Sequence, residues 1–467
     1  MADADFGELR SLLHRPATAS NWAAICEEIE RWEPDSSELQ TVVIPYANQL
    51  LGTYPDALRV MPSSWRQALL MRGELDLPWF EWARRLDISG DRLRIRETRH
   101  LVECKRLREL NHLDIFAQIS QTAFGLLVQA PYLKGVKHLG LRLTGLEDAQ
   151  FSKLIAAPMF ERGLPSLDLG WSGLSERGLH AVATSPHMSN LERLGIEGCR
   201  NLRPQGSWRK IVTGAAFPAL RELDVSKIWL GQPHLTEFIE GNLPEQLTKL
   251  DISYNELGDT WLMHLLERSD LQNMERLNLW NTSLDGDFID AFAGKEALPN
   301  IRDLDLGNNR LKSSHVSALL TSSDFRALET LSFRSNSLGD DPEELANLPA
   351  LPLLEELNLW SNHLGNNGAI ALSTSPVLTT LRSINLRHNY IGERGVEALL
   401  SSPHLGNLET LDLSVNRLDS KAIALLARTD ALPKLTKLRL LQNKLGAHDA
   451  THLRENPHWS DELIIEL

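Results

Sequence analysis

Residues 354–364 read LEELNLWSNHL. Leu357 and Leu359 alternate with a polar residue, as apolar residues do in a strand with one face buried and one wet. Trp360 then falls in the phase that faces water. The reason for a tryptophan there depends on what the stretch is a copy of.

Relatives lie on both sides. Downstream are LRSINLRHNYI (381–391), LETLDLSVNRL (408–418) and LTKLRLLQNKL (435–445). Upstream are LETLSFRSNSL (328–338), IRDLDLGNNRL (301–311), MERLNLWNTSL (274–284) and LTKLDISYNEL (247–257), then LRELDVSKIWL (220–230), LERLGIEGCRNL (191–202), LPSLDLGWSGL (164–174) and VKHLGLRLTGL (136–146). Successive starts are 28, 27, 29, 27, 27, 27, 27, 26, 27, 27 and 27 residues apart. A fixed period in this range marks stacked supersecondary units. ARRLDISGDRL (83–93) fits the same pattern well, and LRELNHLDIFA (107–117) fits it poorly.

The pattern L-x-x-L-x-L-x-x-N-x-L resembles that of leucine-rich repeat proteins, and the period resembles the ribonuclease-inhibitor subtype, in which a strand is followed by a full helix. The resemblance implies an α/β solenoid, a horseshoe with parallel strands on the concave face and helices on the convex face. A second apolar phase after each strand agrees: Val396, Leu399 and Leu400, or Val316, Leu319 and Leu320, or Leu262, Leu265 and Leu266, share one helix face. Ser185-Pro186, Ser375-Pro376 and Ser402-Pro403 are placed to close helices. A closed barrel would stop at eight units. The expected organisation is a helical capping module over 1–80, degenerate first repeats over 81–135, the solenoid over 136–460 and a capping strand over 461–467. Ser63 or Ser64 is available as an N-cap in the module. The helical leader loosely resembles that of bacterial leucine-rich proteins.

Composition narrows the function. The net charge of −14 opposes non-specific binding to nucleic acid or to anionic membrane. Cys26, Cys104 and Cys199 are far apart in sequence, which argues against a disulfide framework or a cysteine zinc site. The start MADADFGELRSLL lacks a basic n-region and an apolar h-region, and no apolar run is long enough to span a bilayer. A cytoplasmic, monomeric protein without cofactor or metal is expected. No nucleotide-binding, nucleophile-elbow, HExxH or EF-hand signature occurs. Cys26 falls in an apolar helical stripe and is expected in the core.

The repeat positions divide the polar residues by role. Asn255, Asn309, Asn336, Asn362, Asn389, Asn416 and Asn443 hold the ninth position, where a group that donates and accepts can serve backbone left open at a turn. Thr144, Ser172, Cys199 and Thr282 replace Asn there, and Ile228 breaks the row. The fifth position holds Asp168, Asp224, Asp251, Asn278, Asp305, Asn358, Asn385 and Asp412, poor strand formers that mark a wet face. The seventh position reads Trp280, Gly307, Arg334, Trp360, Arg387. Tryptophan and arginine are enriched in interface hot spots.

The expected function is therefore non-catalytic: a module that binds another protein on the concave face. Trp280, Trp360, Arg334, Arg387, Arg276, Tyr254 and Trp171 are the expected contacts, with Asp251 and Asp305 in an acidic row that excludes wrong partners. A basic stretch after residue 199, with Arg200, Arg203, Arg209 and Lys210, is expected to be a solvated loop. Two other readings stand beside this one. Resemblance in repeat subtype and length to the activator of the nuclear-transport GTPase implies regulation of a small GTPase, although the acidic tail of that family is absent. A sensor or structural protein needs no concave-face ligand.

Overall fold

In the quoted repeat, Leu354, Leu357 and Leu359 are 0, 3 and 0 % exposed. Each equivalent trio is buried against the helix layer, and a fully buried leucine contributes about 2–3 kcal/mol relative to one left in water. The computed structural model describes residues 4–157, 160–161, 163–202, 207–241, 243–268, 271–288, 298–321, 325–446, 449–459 and 463–467. Two units divide the chain, 1–220 and 221–467.

The first unit begins with helices Phe6–Leu13, Ala19–Ile29, Ile44–Leu51 and Ser63–Gln67. Asp5 and Thr18 cap the first two through Gly7 N and Asn21 N. Trp22, Trp65, Trp79, Phe80 and Trp82 are buried among them, and Cys26 joins this core as expected. Neither Ser63 nor Ser64 caps its helix, because Pro62 takes the cap position and Ser64 Oγ donates to Glu30. Parallel strands follow: β1 (Arg85–Leu93), β2 (His112–Ile119), β3 (His138–Arg142), β4 (Ser166–Asp168) and β5 (Arg193–Gly195), each paired with the next. The register pairs Leu86 with Leu113 and Ile88 with Ile115, so the second repeat starts at Leu110, three residues beyond the frame read at 107. In that frame Leu110, Leu113 and Ile115 are all 0 % exposed.

The second unit holds β6 (Glu222–Asp224), β7 (Lys249–Asp251), β8 (Arg276–Asn278), β9 (Asp303–Asp305), β10 (Thr330–Ser332), β11 (Glu356–Asn358), β12 (Ser383–Asn385), β13 (Thr410–Asp412), β14 (Lys437–Arg439) and β15 (Ile464–Glu466). They are parallel and paired in chain order. Helices such as Gly258–Leu266, Ser313–Leu320, Gly365–Ser373 and Glu393–Leu400 cover one side of this sheet. The repeat starting at 328 departs from a full helix: Pro342–Asn347 is a 3-10 turn. Ser185 and Ser375 sit where helices end, each followed by a 3-10 turn begun by proline. No helix among the described residues is long and apolar enough to cross a membrane.

From β4 onward each strand is three residues long and is broken by the same turn. The eighth repeat position has positive φ in every copy from Leu143 to Gln442, near 55° in the quoted repeat at Ser361. Such a turn directs backbone groups into the interior. The ninth-position asparagines answer them. Asn389 accepts from Asn362 N (2.9 Å) and Leu364 N (3.4 Å) of the preceding repeat through Oδ1. Its Nδ2 donates to Leu359 O (2.8 Å) and Leu386 O (3.1 Å), and the residue is 0 % exposed. Asn309, Asn336, Asn362, Asn416 and Asn443 repeat this arrangement.

Asn389→Asp keeps the shape and the accepting oxygen but removes both donated bonds and places a charge in the interior. It should lower the free energy of unfolding by about 3 kcal/mol. Urea denaturation checks this, and a loss under about 1 kcal/mol would mean that the donated bonds matter little.

Candidate functional site

Side chains at the third, fifth and seventh positions leave the sheet on the side away from the helices. Most of the fifth row has a structural task. Asp251 Oδ1 accepts from Ser253 N (3.0 Å), Asn278 from Trp280 N (3.0 Å), Asp305 from Gly307 N (2.9 Å), Asn358 from Trp360 N (3.1 Å) and Asn385 from Arg387 N (3.0 Å). Asp168, Asp224 and Asp412 do the same. Each side chain mimics a turn by bonding backbone two residues on. The remaining oxygens of Asp251 and Asp305 are engaged as well, with Asn278 Nδ2 (2.7 Å) and Arg334 Nη2 (3.4 Å). The acidic row thus ends the strands, a role that its wet-face reading missed. The recurrence of Asp or Asn two residues before the strand-ending turn was the available signal.

The seventh row is where the second unit differs from one repeat to the next. Trp280 and Arg334 lie two strands apart, yet the guanidinium carbon stands 3.8 Å from the indole centroid. They meet across Gly307, where a Cβ would come 2.2 Å from Trp280 and 2.9 Å from Arg334. Tyr254 tilts against Trp280 at 6.4 Å and carries Lys227 Nζ 4.3 Å over its own ring. Trp280 is half-buried, and its indole N–H is buried without a hydrogen-bond partner among the described residues. The arginine thus covers one face of the indole.

Trp360 and Arg387, on adjoining repeats, are also half-buried. Neither side chain has a hydrogen bond, ion pair or ring partner among the described residues. Arg276 is exposed and paired with Asp303 at 2.6 Å on the next strand. Trp171 belongs to the first unit, with Arg200 5.2 Å over its ring. The basic stretch nearby is no loop over 207–212. It forms helix Ser207–Val212, because Trp208, Ile211 and Val212 share one apolar face and are 0 % exposed. Arg209 is exposed on that helix, and Arg203 lies outside the described residues.

Two groups among the described residues bring three possible metal ligands together: His112, Asp114 and His138 in the first unit, and Asp259, Asp285 and Asp287 in the second.

A family model described as Leucine Rich repeat matches residues 246–260, 350–373 and 377–400. Those three segments are matched as leucine-rich repeats. No curated protein matches the chain in sequence. Solved structures similar to it include an internalin from Listeria monocytogenes, at 14 % identity and TM-score 0.43, with 88 % of this chain and 96 % of that one covered. The Rad7 and Elc1 complex of yeast is similar at 16 % identity and TM-score 0.44, covering 95 % of this chain and 96 % of that one. A leucine-rich repeat protein of Leptospira interrogans is similar at 16 % identity and TM-score 0.41, covering 88 and 93 %.

Gly307→Ala should force Trp280 and Arg334 apart. We expect a destabilisation of about 1–2 kcal/mol, much of which disappears in a Trp280→Ala background; equal costs in both backgrounds would dissociate the glycine from the stack. Asp305 gives a pH test. Burial raises its pKa, against the Gly307 N–H and Arg334, which lower it. With the folded value above the unfolded one, its contribution to stability is complete below the ordinary carboxylate range and is lost as pH rises through the raised value. Asp305→Asn keeps the bond to Gly307 N, so it should flatten that part of the stability–pH curve and be the more stable form at neutral pH. An unchanged curve contradicts the assignment.

Proposed function

We propose that this chain is a non-catalytic module that binds another protein through the seventh-position row of its second unit. The observation that carries the reading is the division within that row. Trp280 and Arg334 hold each other in place. Trp360 and Arg387 stand beside them with no partner of their own among the described residues. An indole and a guanidinium so placed are anchors that a partner desolvates. The rows on either side serve the backbone, so the main chain that carries the anchors is set before binding, which reduces the ordering cost of association.

The chemistry favours a partner segment that offers a carboxylate to Arg387 and an apolar or aromatic group to Trp360. The overall charge of −14 works against long-range attraction of an acidic partner. Recognition is therefore short-range, and salt should alter the affinity only modestly.

The test is capture of a partner from a lysate of the source organism, followed by titration with the purified partner. Trp360→Ala combined with Arg387→Ala should weaken binding by about 30-fold or more, which corresponds to at least about 2 kcal/mol. Circular dichroism and urea unfolding confirm that the variant folds. Equal affinity for wild type and variant removes this face from the interaction.

A further inference from the structure

The third-position row of the first unit reads Arg85, His112, His138 and Ser166 across β1 to β4, in strict register. The two imidazoles are stacked, with centroids 3.9 Å apart and planes 13° from parallel. Both aim Nε2 at the carboxylate of Asp114: His112 at Oδ2 (2.7 Å) and His138 at Oδ1 (3.0 Å). Asp114 is 6 % exposed. Arg85 Nη2 lies 3.3 Å from Oδ2.

Asp114 departs from most of its row. From Asp168 onward the acidic and amide side chains at the fifth position cap backbone two residues on, whereas Asp87 binds Arg85 and the Asp114 oxygens go to Arg85, His112 and His138. The neighbour in register is Gly140, whose Cβ would stand 1.9 Å from Asp114 Oδ1. Any side chain at 140 would close the space into which the carboxylate leans. His138 is oriented from behind by Ser166 Oγ, 2.6 Å from Nδ1. When Nδ1–H donates to that hydroxyl, Nε2 presents a lone pair. An outer partner on the second ring nitrogen is the arrangement that fixes metal-binding histidines.

We propose that His112 Nε2, His138 Nε2 and Asp114 Oδ1 bind a divalent transition metal, zinc by preference. One ligand atom from each of the three residues lies within 4.8 Å of those of the other two. Zinc bonds of about 2.0–2.1 Å from nitrogen and about 2.0–2.2 Å from oxygen set tetrahedral ligands somewhat farther apart than the 3.0 Å between His138 Nε2 and Asp114 Oδ1. Binding the ion requires the stacked rings to tilt out of parallel, so that a lone pair from each Nε2 converges on it in place of the hydrogen bond to the carboxylate. Two imidazoles and one carboxylate suit zinc better than calcium or magnesium, which prefer oxygen. Oδ2 stays with Arg85, which balances the carboxylate and holds it in place. The imidazoles retain some solvent exposure, 24 % for the His112 side chain and 13 % for His138. A fourth position is thus open to water or to a donor from another molecule. The site is independent of the protein-binding row proposed above.

Zinc(II) alone is the probe, titrated calorimetrically into the full chain after chelator treatment, with cobalt(II) as a visible-absorption reporter. We expect one saturable site of micromolar affinity or tighter, and a cobalt band of tetrahedral intensity. His112→Gln and His138→Gln should each weaken zinc binding at least 100-fold, and Asp114→Asn at least tenfold. Asp259→Asn, in the separate acidic cluster, should leave it unchanged. Circular dichroism and urea unfolding of each variant exclude a loss caused by misfolding. Zinc should also raise the melting temperature of the wild type and not that of His138→Gln. Absence of saturable binding to the folded wild type overturns the proposal. So does unchanged affinity in both folded histidine variants, which would put the ion elsewhere.

Discussion

A buried asparagine amide that reaches from one repeat into the next is the interaction on which the second unit depends. Each strand there lasts three residues before a left-handed turn sends backbone N–H and C=O groups inward. Water cannot follow them, and an unanswered buried group costs about 1–3 kcal/mol. The asparagine of the following repeat supplies the missing acceptor, and its amide nitrogen donates to a carbonyl of the preceding repeat and to one of its own. The turn of one repeat is therefore complete only when its neighbour is in place, which is how stacked units become cooperative. Of the residues that replace asparagine, Thr282, Thr144 and Cys199 keep part of this function, donating to the carbonyls of Leu279, Leu141 and Leu169. Ile228 has no polar atom to offer and is simply buried.

That demand decides which positions are free to do anything else. The ninth row is consumed by the turn, and most of the fifth row by the backbone two residues on. What remains is the third row and the seventh, and the side chains of the seventh vary because no backbone group needs them. Gly307 is the informative member. By lacking a side chain it lets residues two strands apart stack. A guanidinium on a partly desolvated indole is worth about 1–2 kcal/mol. Part of the row is thus held rigid by its own members, and Trp360 and Arg387 are left as the groups with unmet contacts.

The period, the parallel order of strands and the asparagine ladder were legible in the sequence because each repeats with the same chemistry. The frame of the second repeat was not. Leu107 and Leu110 are both buried leucines, and only the register with β1 separates them. That slip of three residues hid the alignment of His112 with His138. The fifth row was misjudged because an Asx turn and a solvated aspartate leave the same trace in a strand pattern. The helix at 207–212 was obscured by arginine and lysine, which occupy its wet side while Trp208 and Ile211 face inward. The cover that Arg334 gives Trp280 was not legible, because alternation gives the direction of a side chain and says nothing of what a neighbouring arginine covers.

Strand length links the two units' chemistry to one cause. A three-residue strand ends before the seventh position, so its backbone N–H there needs a side-chain acceptor, and the fifth-position carboxylate is drawn to it. β2 runs for eight residues, and Phe116, at the seventh position, is still paired in register with Arg142. The sheet itself occupies the backbone at that point, and Asp114 is released. Gly140 leaves it room, and the register delivers two imidazoles to it. Polar side chains on this fold are therefore available for chemistry where the strands are long and committed to the backbone where they are short. On that ground the metal site we propose falls on the long strands of the first unit, while in the second unit the third and seventh rows carry the side chains that the backbone does not engage.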